Sequence, residues 1–175
     1  MKNKNKNNLK KEVKNLKNTN IIIVGAHLDD IELGLTYFLT QVSKKEKNNN
    51  IYTYISSSGH LSHDLIINKE RKKAFIENME EFNIPCKNIV ISKQEESMVS
   101  RYTPYVSSLS SNPVIDTVFY ENKKQIRTSL ETFINDLSSQ GIFENKTILV
   151  TLMPDIHEDH RIISEMCDVI ARPGK

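Results

Sequence analysis

Two short apolar runs constrain this chain more than any other feature. Ile21-Ile22-Ile23-Val24-Gly25-Ala26 and Thr147-Ile148-Leu149-Val150-Thr151-Leu152 are rich in β-branched residues, lack polar alternation and end abruptly. A strand apolar on both sides needs cover on both faces, which is the situation of a parallel sheet beneath helices. The intervening sequence supplies that cover. Asp30 to Lys45 reads as a helix with Ile31, Leu35, Phe38, Leu39 and Val42 on one face, and Asn48-Asn49-Asn50 breaks it. Ile51 to Ile55 reads as a second strand. Residues 68–82 read as a helix carrying Phe75, Met79 and Phe82, ended by Asn83 and Pro85. Ile89-Val90-Ile91 is a third strand. Residues 92–118, with Pro104, Pro113 and many serines, read as a long loop with room for one strand at Val114 to Tyr120. A helix follows over 121–139 with Ile126, Leu130, Phe133, Ile134 and Leu137, stopped by Gly141, and Asp159 to Ala171 forms the last. This alternation predicts an α/β domain with a mainly parallel sheet.

A length of 175 residues suits one domain. The formal charge of +2 is unevenly spread: residues 1–20 hold seven Lys and one Glu, leaving 17 basic against 21 acidic side chains elsewhere. Residues 1–20 therefore read as a basic, Lys/Asn-rich tail, disordered or at most weakly helical around Leu9 to Leu16, and residues 21–175 as the domain. The domain lacks the basic surface that nucleic acid requires. No apolar stretch approaches the ~18 residues of a membrane span, and the lysine-rich start lacks the apolar core of a secretory signal. Cys86 and Cys167 stand far apart without a C-x-x-C pattern, which predicts reduced thiols in a cytoplasmic protein.

Each apolar run delivers histidines and carboxylates at its C-terminal end: His27-Leu28-Asp29-Asp30 after the first, His157-Glu158-Asp159-His160 after the second. In open α/β sheets that edge is where ligands bind. Imidazole and carboxylate together suit Zn²⁺ or a similar divalent ion. His27 and Asp30 are three apart, as are His157 and His160, so each pair shares a face in a helical first turn. If Asp30 ligates an ion, Asp29 points elsewhere and is placed to act as general base on water. One of the two later histidines is then left to meet a developing oxyanion, with Asp159 holding it charged. Helix capping is the plainer account, since Asp29/Glu32 and Asp155/Glu158 both have capping-box spacing. His60-Leu61-Ser62-His63-Asp64 is a rival ligand cluster. A nucleotide-binding module is disfavoured, because no G-x-G-x-x-G follows the first strand and carboxylates stand where a pyrophosphate would sit.

Gly25-Ala26-His27-Leu28-Asp29-Asp30-Ile31-Glu32-Leu33-Gly34 resembles the A-H-P-D-D-x-E-x-G signature of the PIG-L/LmbE-like deacetylases, and His157-Glu158-Asp159-His160 resembles their H-P-D-H motif. The resemblance implies a Rossmann-like three-layer fold and zinc-dependent removal of an acetyl group from an N-acetylglucosamine-type sugar. It implies His27, Asp30 and His160 as metal ligands, holding Zn²⁺, although this ligand set also admits Fe²⁺. It implies Asp29 as general base, His157 as the histidine that stabilises the tetrahedral intermediate, and Asp159 as the partner of that histidine. Arg71 falls where the family has an arginine that contacts substrate hydroxyls; His60 stands where many members have Glu, and its loop, leaving the C-terminal edge of the sheet, gives it a substrate-facing position. The chain departs from the family at Leu28 and Glu158, which replace prolines, at Thr36-Tyr37, which replace Gly-Gly, and at Ala74, which replaces a glutamate. It ends fifteen residues after His160, where family members generally continue, so the expected sheet is incomplete at the C-terminus. A catalytically inactive metal-binding or scaffold protein is the alternative expectation. An N-acetylated amino sugar is the expected partner; nucleic acid and an integral membrane segment are not expected.

Overall fold

The computed structural model describes residues 10–57, 65–92, 113–154 and 158–171. A helical stretch over residues 10–15 (α1) is followed by strand β1 (Asn20–Gly25), helices α2 (Leu28–Gly34) and α3 (Thr36–Val42), and strand β2 (Asn50–Ile55). Next come α4 (Leu65–Glu81), β3 (Ile89–Ile91), α5 (Pro113–Ser139), β4 (Thr147–Thr151) and α6 (Glu158–Ile170). The four strands form one all-parallel sheet in the order β3-β2-β1-β4.

The strand period of two divides β1 between two cores. Ile21 and Ile23 pack with Leu28, Ile31, Leu39, Val42, Phe75 and Met79 from α2, α3 and α4. Ile22 and Val24 face the other way, against Ile126, Leu130, Phe133 and Leu137 of α5 and Ile162, Ile163 and Met166 of α6. Helices thus cover both faces, and the fold is a three-layer, Rossmann-like α/β arrangement. Central β1 is fully enclosed: none of Ile21, Ile22, Ile23 and Val24 exceeds 1% exposure. Burying each such side chain contributes roughly 1.5–3 kcal/mol, which explains why the most apolar run takes the inner position.

β1 runs to β2 through α2 and α3 on one face, whereas β4 reaches the opposite flank of β1 after α5, which lies on the other face. The chain therefore changes direction of travel across the sheet at the β1/β4 seam. Ligand sites of open α/β sheets form at the C-terminal ends of strands flanking such a switch point.

Several expected elements differ from the observed ones. The helix expected over Asp30 to Lys45 is two helices, because Gly34 ends α2 and Leu35 leaves helical geometry with φ −118° and ψ 4°. The strand expected at Val114 to Tyr120 is the start of α5. Its β-branched residues suggested a strand, but Pro113 occupies the first helical position, where proline's fixed φ favours a helix start. Within the basic tail, the short helix allowed around Leu9 to Leu16 is present over residues 10–15; Val13 and Leu16, three apart, pack onto the Ile21/Ile23 core, and Thr19 is buried. Lysines of that segment leave the apolar stripe intact, so their charge does not prevent docking. Cys86 is an exposed free thiol and Cys167 a buried one. Among the described residues no helix is long and apolar enough to cross a membrane.

Candidate metal centre

The site begins where β1 stops. A Cβ at Gly25 would sit 3.2 Å from Ile55 Cδ1 and 3.3 Å from Ile31 Cγ1, so glycine lets the strand end pass tightly beneath α2. The neighbouring strand pins the turn: Ser56 N–H donates to Gly25 O, Ser57 N–H to Ala26 O, and the Ser56 hydroxyl to Ala26 O at 3.0 Å. His27, with extended backbone, caps α2. Asp30, in the first turn, turns its Oδ2 back to accept the N–H groups of Ala26 at 3.1 Å and His27 at 2.7 Å. These two bonds close a capping box and fix the position of the Asp30 side chain.

Capping is therefore present but shifted from the spacing the sequence suggested. His27 and Asp30 make it, and Asp29 does not open the helix. Glu32, expected to close the Asp29 box, accepts instead from Asn78 Nδ2 at 2.6 Å and ties α2 to α4. Asp155 lies outside the described residues.

The second cluster arrives on α6, directly after β4. His160 Nε2 lies 3.2 Å from Asp30 Oδ1. Asp159 Oδ2 lies 2.9 Å from His27 Nε2, joining positions 132 residues apart. Asp159 thus pairs with the imidazole of the first cluster; His157, its partner by the family resemblance, lies outside the described residues. His27 and Asp159 are buried, at 8% and 2% exposure, while Asp30 and His160 are partly open. The two imidazole rings stand 5.5 Å apart between centroids.

Burial works against a charged His27, but the Asp159 hydrogen bond and the negative charges of Asp159, Asp30 and Asp29 outweigh it, and its pKa is raised above 6.5. Asp159 on Nε2 also fixes the ring's orientation. Nδ1 is the nitrogen turned toward Asp30, 3.8 Å from its Oδ2. Carboxylate partners of this kind orient metal-binding histidines and increase their basicity.

His27, Asp30 and His160 fit a divalent ion by donor chemistry and by spacing. Each offers one ligand atom, and these atoms all lie within 4.8 Å of one another. Ligands about 2.0–2.1 Å from a tetrahedral ion are ~3.3 Å apart, so closure requires contraction of at most about 1.5 Å on the longest edge. Asp29 and Asp30 line, with His160, Leu33, Gly34, Leu152 and Met153, an open cleft of about 390 Å³. This places Asp29 beside the candidate ligands without making it one of the three.

Arg71 is half-buried on α4 and does not line this cleft. His60, His157 and the His60/His63/Asp64 cluster lie outside the described residues. The bond between Asp159 and His27 had no signal in the sequence beyond the presence of both residues. Leu33 and Met153 were likewise missed, and only their exposure beside the centre draws attention to them. No protein-family model, no curated protein and no solved structure matches the chain.

Proposed function

We propose that this protein is a metal-dependent amidohydrolase that removes the N-acetyl group from an amino sugar of the N-acetylglucosamine type, with Zn²⁺ as the ion and Fe²⁺ as its rival. The convergence of His27, Asp30 and His160 at the β1/β4 seam, with Asp29 in the same cleft, is the observation that carries this reading. The likeness of both clusters to the PIG-L/LmbE-like motifs supports it and suggests the substrate.

His27, Asp30 and His160 would hold the ion. When bound, such an ion polarises an acyl oxygen and acidifies water. Asp29 accepts the proton of the attacking water as its oxygen bonds to the acyl carbon. Asp29 then returns that proton to the sugar nitrogen as the carbon–nitrogen bond breaks, releasing acetate and the free amine. Asp30 is held in place by two backbone N–H groups on Oδ2, which leaves Oδ1 aimed at His160. Asp159 keeps the His27 ring from rotating. His157, by its motif position, is assigned the developing oxyanion.

The test is metal analysis of the purified chain paired with amine detection on N-acetylglucosamine derivatives. The expected result is about one ion per chain and metal-dependent amine release. A chain that takes up no divalent ion would overturn the proposal, and stoichiometric ion without amine release would favour a binding protein.

A further inference from the structure

Leu33 and Met153 are the two most open large apolar side chains among the described residues, at 83% and 85% exposure. Both line the cleft that holds Asp29, Asp30 and His160, with Leu152 beside them. They come from separate elements, Leu33 from the last turn of α2 and Met153 from the segment after β4. Single exposed apolar residues are ordinary on a protein surface. Here the two most exposed converge from either side of the β1/β4 seam onto the cleft that also carries Asp30 and His160. Gly34, next to Leu33, lines the same cleft, and the space at its Cβ position is open, with nothing within 4 Å. A ligand covering these side chains would remove apolar surface from water on both partners, which favours binding.

We propose, resting on the amidohydrolase reading, that Leu33 and Met153 grip an apolar group of the substrate next to the scissile amide, and that they are specificity-determining residues. The preferred substrate is then an N-acyl amino sugar bearing a hydrocarbon substituent, not the bare sugar. That substituent has two sources, a lengthened acyl chain or an apolar aglycone, and both would meet the same two side chains. Binding energy from a group outside the reacting bond lowers KM when it is equal in ground and transition states.

Three probes separate the sources: methyl N-acetylglucosaminide, its N-hexanoyl counterpart, and hexyl N-acetylglucosaminide. Turnover is measured on the full wild-type chain, and binding by calorimetry on the Asp29→Asn chain. The expected result is that one hexyl-bearing probe has a KM and a Kd lower than the parent on the order of tenfold. Leu33→Ser and Met153→Ser each remove most of that gain, and the loss falls on KM for that probe. Tyr37→Ser, which alters an exposed apolar residue away from the cleft, retains the gain. Equal affinity for all three probes, or a gain that survives both substitutions, overturns the grip. Turnover without hydrocarbon preference overturns the grip alone. Hydrocarbon-dependent binding that Leu33→Ser abolishes, without turnover of any probe, supports the grip and overturns the reaction.

Discussion

Asp30 has two duties, because Oδ2 accepts two backbone N–H groups while Oδ1 faces His160. Asp30→Asn removes the anion and leaves only one oxygen for both duties. The expected outcome is loss of bound ion together with destabilisation of about 1 kcal/mol from the weakened cap, read by metal analysis and urea unfolding. Asp29→Asn differs: ion content stays at the wild-type value while amine release falls by roughly 10²–10⁴-fold. Loss of the ion from the Asp29→Asn protein would show that Asp29 is a ligand. His27 brings a pH dependence. Its folded pKa is raised above 6.5, so its protonated form stabilises the ion-free fold. That stabilisation is fully present below 6.5 and disappears as pH rises through the folded value. A ligating imidazole must be deprotonated, so ion affinity falls as pH drops through that same raised value. Asp159→Asn weakens the main support for the charged form and should move the fall in affinity to lower pH. It should also weaken the ion about 10–100-fold at alkaline pH, as measured by competition with a chelator.

At the level of elements, the turn between β1 and α2 is the least tolerant. Gly25→Val should destabilise the fold by about 1–3 kcal/mol in urea unfolding, since its branches would press on Ile55 and Ile31, two filled core positions. Unchanged stability would mean that α2 moves aside at no cost. β1 and β4 were legible in the sequence because enclosure on both faces leaves an uninterrupted apolar run. The helix ends at Asn83 and Gly141 were legible too, and both residues adopt positive φ, at 57° and 72°. The first turn of α5 was not legible: Val114, Ile115, Thr117 and Val118 carry a strand's composition, and only Pro113 points to a helix start. The break between α2 and α3 was missed because Ile31, Leu35, Phe38 and Leu39 keep helical spacing across it, and all four do pack inward. The three candidate ligands could be chosen because strand ends and short spacings are local. The Asp159–His27 bond could not, since it depends on how β4 registers against β1.

For the whole molecule, the decisive feature is that candidate ligands following β1 and β4 meet across one seam. An ion that binds only the folded state stabilises it by about 2.7 kcal/mol at a hundredfold excess over Kd, worth roughly 5–10 °C in Tm for a chain of this size. His160→Ala should abolish that thermal shift, and retention of the full shift would place the ion elsewhere. Among the described strands β4 has β1 as its only partner, so a fluctuation that peels β4 away also carries α6 from α2. The ion then acts as a clasp on the outer strand. Its escape rate should follow how often that strand detaches, so timing ion loss into a chelator would clock the breathing of the sheet's edge.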